Sequence, residues 1–325
     1  MSEAIYLRAK DDVRVTVAAA TDPGQILQMA DGRAAVLQGS SGAAAGDRIS
    51  PTTVGQFTML KTAAMVLLDG GKAFWDFSAN TVSFRKVNDR DFYLGTVVGD
   101  AASADTTCVV NLNNKPCPDV DLLDGDGGVL SVATGTAAAG GFGLPVKFGK
   151  SAGLSLTATN EAQSVDMLSV DRVAVAANPI AEFVVRLGAN GSTSAVDINF
   201  GLANGTSATD ADAITESVFF HIDGGALDIL AESDDGTTEV NATDTTINIT
   251  AGTAVANRVE FWIDARNPAD VQLYIDGALV LPSSVFTLGA ATGPLGLMAH
   301  VEKTAGTATA GPVLFDRAEM RIMQQ

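Results

Sequence analysis

Short strand-forming segments alternate with tight-turn signals along almost the whole chain. In the stretch GGKAFWDFSANTVSF, residues 70–84, a strand pattern lies between an Asp-Gly-Gly turn at 69–71 and a Ser-Ala-Asn turn at 78–80. Similar segments predict about seven or eight short strands before residue 114, with no strong helix among them. This alternation constrains the fold more than any other feature, because it predicts an all-β chain in which each strand turns back on its neighbour.

The second half of the chain continues the pattern with longer strand segments. Residues 181–189, 216–233 and 257–282 carry strand patterning, and Asp-Gly-Gly at 223–225 and Asp-Gly at 276–277 are hairpin-turn signals. One short helix is predicted at TDADAITES, with Thr209 or Asp210 as its N-cap. Because helices do not alternate with these strands, a parallel sheet is disfavoured and an antiparallel β-sandwich is predicted.

A change in composition divides the chain into two predicted domains. The stretch NNKPCPDVDLLDGDGG, residues 113–128, brings together prolines, glycines and acidic residues, and 325 residues are enough for about two domains. We place the domains at 1–118 and 119–325, with the boundary somewhere within 114–145. The fold prediction is a small β-barrel domain followed by an antiparallel sandwich.

The charge is concentrated in the second part. Residues 1–150 contain 13 Lys and Arg against 16 Asp and Glu, whereas residues 151–325 contain 7 against 22, and the net charge of the chain is −18. Such an acidic surface argues against nucleic acid or an anionic membrane as a partner. We expect no secretory signal and no membrane span, and therefore synthesis in a cytoplasm.

Catalytic motifs are not evident. His221 and His300 are the only histidines, and we interpret both as surface or core-edge residues. The chain has no G-x-S-x-G elbow and no phosphate loop ending in G-K-[ST], so we predict a protein that is not an enzyme and needs no cofactor. Cys108 and Cys117 form no C-x-x-C motif; they could pair, or remain two inert thiols.

Two stretches suggest ligand binding. In DVDLLDGDGG the alternating carboxylates form either a solvated acidic turn or a Ca²⁺ site, although the spacing departs from an EF-hand loop. We predict no metal site, so the Ca²⁺ reading is the alternative. In VEFWIDAR a strand would place Val259, Phe261 and Ile263 on one face and the other side chains on the opposite one. Trp262 is then a core residue, a platform for sugar stacking or part of another contact. The Ca²⁺ candidates are Asp119, Asp121, Asp124 and Asp126, and the glycan-platform candidates are Glu260, Trp262, Asp264 and Tyr274.

The N-terminal stretch IYLRAKDDVR is basic and partly apolar. Arg8, Lys10 and Arg14 lie in a segment that could add a strand to the sheet edge of a partner, or form the first strand of its own domain.

Residues 5–113 resemble the capsid decoration, or cement, proteins of tailed phages. The resemblance rests on GKAFWDFSANTV (71–82) and LGTVVGDAASADTTCVVNL (94–112), and the insert RKVNDRDFY (85–93) departs from the family pattern. It implies a non-enzymatic protein on the capsid exterior of a virion, bound to the major capsid protein as a homotrimer at three-fold and quasi-three-fold positions. The expected capsid contacts are Tyr6, Arg8, Lys10, Arg14, Arg85, Lys86 and Arg90.

A second, shorter resemblance concerns NRVEFWIDARNPADVQLYIDGALV, which is similar to the strand pair of concanavalin-like jelly-roll domains. It implies an outward jelly roll, and it leaves open a carbohydrate-binding module that adheres to glycans. A glycosidase is disfavoured, because the E-x-D-x-x-E strand motif of such enzymes is missing.

Overall fold

The computed structural model describes residues 14–123, 129–134, 142–143, 151–188, 196–304, 306 and 312–323. The chain divides into two compact units, Met1–Pro116 and Cys117–Gln325. The described residues form strands and a few one-turn 3-10 helices, so the predicted all-β class is confirmed. No helix within these ranges has the length and apolar character that a membrane crossing requires.

The first unit consists of short antiparallel strands. Strands β1 and β4 form one pair, β2 and β3 form another, and the main sheet has the order β5-β9-β8-β6-β7. The strands are β1 (Val15–Thr16), β2 (Ile26–Gln28), β3 (Ala34–Val36), β4 (Arg48–Ile49), β5 (Gln56–Leu60), β6 (Lys72–Asp76), β7 (Thr81–Ser83), β8 (Phe92–Val97) and β9 (Thr107–Leu112).

The main sheet of the first unit closes on itself. Lys61, directly after β5, forms a parallel bridge with Val82 in β7, and the Thr62 amide donates to the Val82 carbonyl at 2.9 Å. These contacts join the two edge strands, so the sheet forms a small barrel around fully buried residues such as Leu94 and Val110. Closure removes unpaired strand edges that would otherwise be free to aggregate.

The turns around β6 follow the predicted chemistry. Gly70 has φ +72°, a conformation that few residues other than glycine adopt readily, and Asn80 has φ +55°. The Asp76 carboxylate accepts the amides of Ser78 and Ala79, both at 2.9 Å, and so holds the turn between β6 and β7. The strand–turn–strand prediction for residues 70–84 is therefore confirmed.

The second unit is an antiparallel sandwich of two eight-stranded sheets. The β16 sheet has the order β12-β13-β25-β16-β21-β22-β23 with β10 beside β25, and the β17 sheet has the order β11-β14-β24-β17-β18-β19-β20 with β15 beside β24. The strands are β10 (Val120–Asp121), β11 (Val129–Thr134), β12 (Phe142–Gly143), β13 (Ala152–Leu154), β14 (Gln163–Ser169), β15 (Val173–Ala174), β16 (Pro179–Leu187), β17 (Val196–Ala203), β18 (Ser217–Asp223), β19 (Asp228–Asp234), β20 (Glu239–Asn248), β21 (Val259–Asp264), β22 (Gln272–Ile275), β23 (Ala278–Val280), β24 (Pro294–Lys303) and β25 (Val313–Ile322).

Aromatic residues fill the space between the two sheets. Phe183 and Phe261 come from the β16 sheet, Phe200 and Phe220 come from the β17 sheet, and all four are fully buried. The Phe200 ring lies 4.8 Å from Phe261 and 5.5 Å from Phe183, measured between centroids. Because large rings bury about 150–250 Å² each, this cluster is the main apolar core of the second unit.

Local predictions in the second unit are confirmed in part. Asp276 and Gly277 both have positive φ, at +49° and +78°, as the predicted Asp-Gly hairpin turn requires. The predicted helix at 209–217 is instead one 3-10 turn over Ala211–Ala213, and Asp210 caps it by accepting the Asp212 amide. The segment is too short for an α-helix, because Ile214 must leave the helical path to pack on the sheet with Ala211.

Both cysteines are free, and Cys108 is buried whereas Cys117 is exposed. Burial raises the pKa of the Cys108 thiol to about 11, which keeps it protonated and unreactive near neutral pH.

Candidate functional site

The loop between β7 and β8 carries the basic insert of the first unit. Asp91 is buried at its end, and its carboxylate accepts the amides of Val87 at 2.9 Å, Asn88 at 2.7 Å and Phe77 at 3.0 Å. The last bond ties the loop to the turn that follows β6. The insert is thus held by hydrogen bonds to one buried carboxylate, which fixes the direction in which its side chains project.

Cationic, aromatic and aliphatic side chains lie together on this loop. The Arg90 guanidinium lies 3.5 Å from the centroid of the Phe77 ring, which is 39% exposed, and Val87 is 63% exposed. Such stacking is typical of a cation–π contact. Arg and aromatic residues are also enriched in protein interfaces relative to other surfaces. We call this the 77–90 surface, defined by Phe77, Arg85, Lys86, Val87 and Arg90.

The structure locates the other predicted capsid contacts only in part. Tyr6, Arg8 and Lys10 lie outside the described residues, and Arg14 is exposed directly before β1. Strand β1 pairs with β4 of the same unit, so residues 15–16 form part of a sheet within the first unit. A role for the preceding residues in adding a strand to a partner stays a prediction.

An open cavity of about 340 Å³ lies on the first unit. Apolar side chains from β2, β3, β5 and β6 contribute most of its wall, among them Ile26, Phe57, Leu60 and Trp75. Leu60 is well exposed, whereas Trp75 is 8% exposed. The cavity gives this unit a second surface with apolar character.

The glycan platform is not formed as the sequence suggested. Phe261 and Ile263 face the sandwich core, as the strand alternation predicts, but Trp262 on the opposite face is only 3% exposed. Its indole donates to the Glu260 carboxylate at 3.0 Å, and its ring lies 5.9 Å from Tyr274. Of the alternatives left open for Trp262, the structure shows the buried one, and its ring is not accessible for a sugar to stack on.

Charged partners occupy the acidic residues of that platform. Arg317 binds both Glu260 and Glu182, Arg321 binds Glu182, and Arg266 holds Asp264. Burial raises the pKa of Glu260 despite the adjacent Arg317, which lowers it, while Glu182 raises it further. Glu182 and Glu260 thus belong to a buried ion network with Arg317 and Arg321. Asp264 instead lines an open cavity of about 270 Å³ together with Arg266 and Gln272.

The predicted Ca²⁺ carboxylates have other roles where they are described. Asp119 accepts the Ile322 amide at 2.7 Å, and Asp121 accepts the Leu123 amide at 2.8 Å. Asp124 and Asp126 lie outside the described residues, so the choice between a solvated acidic turn and a Ca²⁺ site is not tested.

Both histidines are more deeply embedded in polar networks than the sequence suggested. His300 is fully buried in β24, where Nδ1 lies 2.8 Å from Asp166 and Nε2 lies 3.0 Å from Glu302. An imidazolium donates on each side and so satisfies both carboxylates. Reading His300 as a surface or core-edge residue was wrong, because the pairing of β14 with β24 was not evident from local sequence.

This triad predicts a loss of stability at alkaline pH. Burial alone would lower the pKa of His300, but hydrogen bonds to Asp166 and Glu302 outweigh it and raise the pKa from 6.5 to about 9. Because the pKa of His300 is higher in the folded protein than in the unfolded chain, protonated His300 stabilises the fold fully below pH 6.5. This contribution is lost as the pH rises through 9. We expect the free energy of unfolding of the second unit to fall by roughly 3 kcal/mol over this range.

Urea denaturation at several pH values measures this loss, with His300→Gln as the comparison. The variant lacks the titrating imidazole, so its stability should depend less on pH between 6.5 and 10. His221, whose pKa is also raised, to about 10, retains its own share of the pH dependence in both proteins. Equal slopes for the two proteins would contradict the assignment.

Comparison with known proteins agrees with the reading of the first unit. Residues 7–112 match the family described as phage cement protein. The N-terminal third of the chain thus carries the sequence pattern of this family, which confirms the resemblance inferred from the sequence. Among curated proteins, none gives a significant sequence match.

Several solved structures have a fold similar to part of this chain, at low sequence identity. The carbohydrate recognition domain of Emp47p is 11% identical with a TM-score of 0.43, covering 63% of this chain and 94% of that one. The laminarinase from Rhodothermus marinus is 10% identical with a TM-score of 0.42, covering 63% and 95%. The Ca²⁺-bound lumenal domain of VIP36 is 7% identical with a TM-score of 0.36, covering 60% and 84%. We draw no functional argument from these similarities.

Proposed function

We propose that this chain is a non-enzymatic virion protein that decorates the outside of a tailed-phage capsid. Its first unit docks on adjacent major capsid proteins and clamps them together, and three copies assemble at each three-fold or quasi-three-fold position. The observation that carries the proposal is the match of residues 7–112 to the phage cement protein family. Synthesis takes place in the cytoplasm of the host.

The 77–90 surface supports docking through the first unit. Lys86 and Arg90 are exposed on a loop that the buried Asp91 holds in place, next to the exposed apolar groups of Phe77 and Val87. A preorganised loop costs less entropy on binding than a mobile one. The cations steer the first unit toward an acidic capsid exterior, and the aromatic and aliphatic groups then become buried in the contact.

Trimer formation allows each copy of the protein to bind the capsid through a small interface. A specific protein interface buries about 1,200–2,000 Å² in total, and no deep catalytic pocket is needed for it. Three linked copies raise the effective concentration at each capsid position, which increases avidity by about 10²–10⁴ without new chemistry. The acidic second unit remains solvated on the outside, where its like charge keeps virions apart.

The test is a decoration assay on expanded, undecorated heads with the variant Lys86→Glu/Arg90→Glu. We expect the association rate to fall by at least about tenfold at low salt, because reversing the two charges opposes steering. The unaltered protein should also associate more slowly as salt increases. The control is Arg48→Glu/Lys115→Glu, which changes two exposed cations of the same unit by the same total charge.

Equal association rates for the two double variants would contradict docking through the 77–90 surface. A fragment of residues 1–118 serves as a further arm, since the proposal assigns capsid binding to the first unit. If this fragment folds but no longer decorates heads, the assignment of roles to the two units is wrong.

A further inference from the structure

Three metal-ligand side chains converge on the outer face of the β17 sheet. His221 in β18, Glu232 in β19 and Asp212 in the 3-10 turn each offer one ligand atom, and these atoms lie within 4.8 Å of one another. Among the described residues, no other group of three or more His, Cys, Asp or Glu side chains brings its ligand atoms this close together. They come from three elements, so the folded sandwich is what brings them together.

The loop that carries Asp212 is fixed above the sheet. Ala211 and Ile214 pack with Phe219 on the outer face, and Asp210 accepts the Asp212 amide at 2.9 Å. Phe219 and His221 are two residues apart in the same strand, so they project from the same face. The packing that buries Ala211 and Ile214 therefore places the Asp212 carboxyl beside His221 and Glu232.

Neighbouring side chains orient both sheet ligands. Asn199 donates to one Glu232 oxygen at 2.8 Å, and the other Glu232 oxygen lies 3.7 Å from Nδ1 of His221. Nε2 of His221 lies 3.5 Å from Asp197. A carboxylate that receives the second ring N–H of a histidine is the usual support for a metal-binding imidazole, because it fixes the tautomer and the ring plane.

The atom that would bind the metal has no hydrogen-bond partner. Nδ1 of His221 is inaccessible to solvent and unpartnered, and it points toward Glu232. A separation of 3.7 Å is too long for a hydrogen bond but suits two ligands of one ion, which stand roughly 3.3 Å apart around a tetrahedral Zn²⁺ with bonds of about 2.0–2.1 Å.

Space and charge also suit a cation. A cavity of about 20 Å³ lies beside Asp212 and Glu232, and its β18 lining is Ser217 and Phe219 rather than His221. A volume of about 10–15 Å³ suffices for one water-sized body. Asp197 and Glu232 face the His221 ring and favour its protonated form, so an ion that binds at Nδ1 displaces that proton into solvent. Asp210 and Asp212 add further negative charge nearby.

We propose that Asp212, His221 and Glu232 bind one divalent first-row transition-metal ion, of which Zn²⁺ is the reference case, with Asp197 and Asn199 as positioning residues. One nitrogen and two carboxylate oxygens are a ligand set that such ions accept, and the adjacent cavity leaves room for water as a further ligand. The ion fastens the 204–216 loop to the outer face of the sheet and so stabilises the second unit.

Isothermal titration of the chelator-treated full chain with Zn²⁺ tests the site. We expect one ion per chain and an increase in melting temperature with Zn²⁺, because a ligand that binds only the folded state stabilises it. Asp212→Asn should weaken binding at least about tenfold, and His221→Gln should do the same. The matched control is Asp210→Asn, which removes a neighbouring charge and keeps a good N-cap, so its affinity should change little.

Three results would overturn the proposal. One is the absence of Zn²⁺ binding by the folded chain, and the second is equal affinity for the chain and for both ligand variants. The third is Ca²⁺ or Mg²⁺ binding that His221→Gln leaves unchanged, which would assign the site to hard cations held by the carboxylates alone. Circular dichroism of each variant shows whether lost binding reflects lost folding.

Discussion

Replacing Arg317 by Met should lower the free energy of unfolding of the second unit by about 3–5 kcal/mol. Arg317 lies in β25 and binds Glu260 of β21 and Glu182 of β16, and all three side chains are largely buried. Burial acts to lower the pKa of Arg317, but the charges of the two carboxylates outweigh it and raise the pKa above its ordinary value. Removing the guanidinium leaves two buried like charges without this partner.

Urea denaturation followed by circular dichroism measures the effect. The control is Arg258→Met, because the Arg258 side chain is 44% exposed and its partner Asp316 remains bound to Arg186 at 2.5 Å. We expect this control to lose no more than about 1 kcal/mol. Adding Glu260→Gln to Arg317→Met should recover part of the loss, since it removes one of the uncompensated charges. Equal losses for Arg317→Met and Arg258→Met would contradict the network.

Replacing Trp75 by Ala should lower the free energy of unfolding of the first unit by about 3–5 kcal/mol. Trp75 is largely buried in β6, opposite Val82 of β7 and Phe92 of β8. Truncating this large side chain leaves a void that the small core of the first unit has little means to fill. Decoration of heads should then be lost together with the fold.

Hydrogen exchange of the β6, β8 and β9 amides measures this loss separately from the second unit. Phe77→Ala is the control, because Phe77 is two positions along and partly exposed, and its truncation should cost less than about 1 kcal/mol. A Trp75→Ala protein with unchanged amide protection that no longer decorates heads would instead place Trp75 in the capsid contact, through the cavity beside it.

Local chemistry was sufficient to predict much of the fold. The Asp-Gly turn at 276–277 and the turn at 78–80 depend on residues that tolerate positive φ, and both are where the sequence predicted them. The inward face of β21 followed from its alternating pattern, with Phe261 and Ile263 in the core. Such features depend on neighbours within a few positions of the chain.

The polar networks could not be predicted because their members are distant in sequence. Trp262 points away from the sandwich core but is enclosed by other side chains, and its indole donates to Glu260. Arg317 binds both Glu260 and Glu182, and these three charged residues come from strands that are far apart in the chain. His300 likewise meets Asp166 only through the register of β24 against β14. A strand pattern indicates which side chains share a face, but it does not reveal which strand lies alongside.

The positions of Trp75 and Trp262 provide a means of observing each unit separately. They are the two tryptophans of the chain, one in the barrel and one in the sandwich. Tryptophan fluorescence is therefore the sum of two single-residue signals, and Trp75→Phe or Trp262→Phe isolates one of them. The emission of Trp262 reports the ion network that encloses it, while the emission of Trp75 reports the apolar cavity of the barrel. Unfolding and capsid docking can thus be followed in each half of the same molecule without an added label.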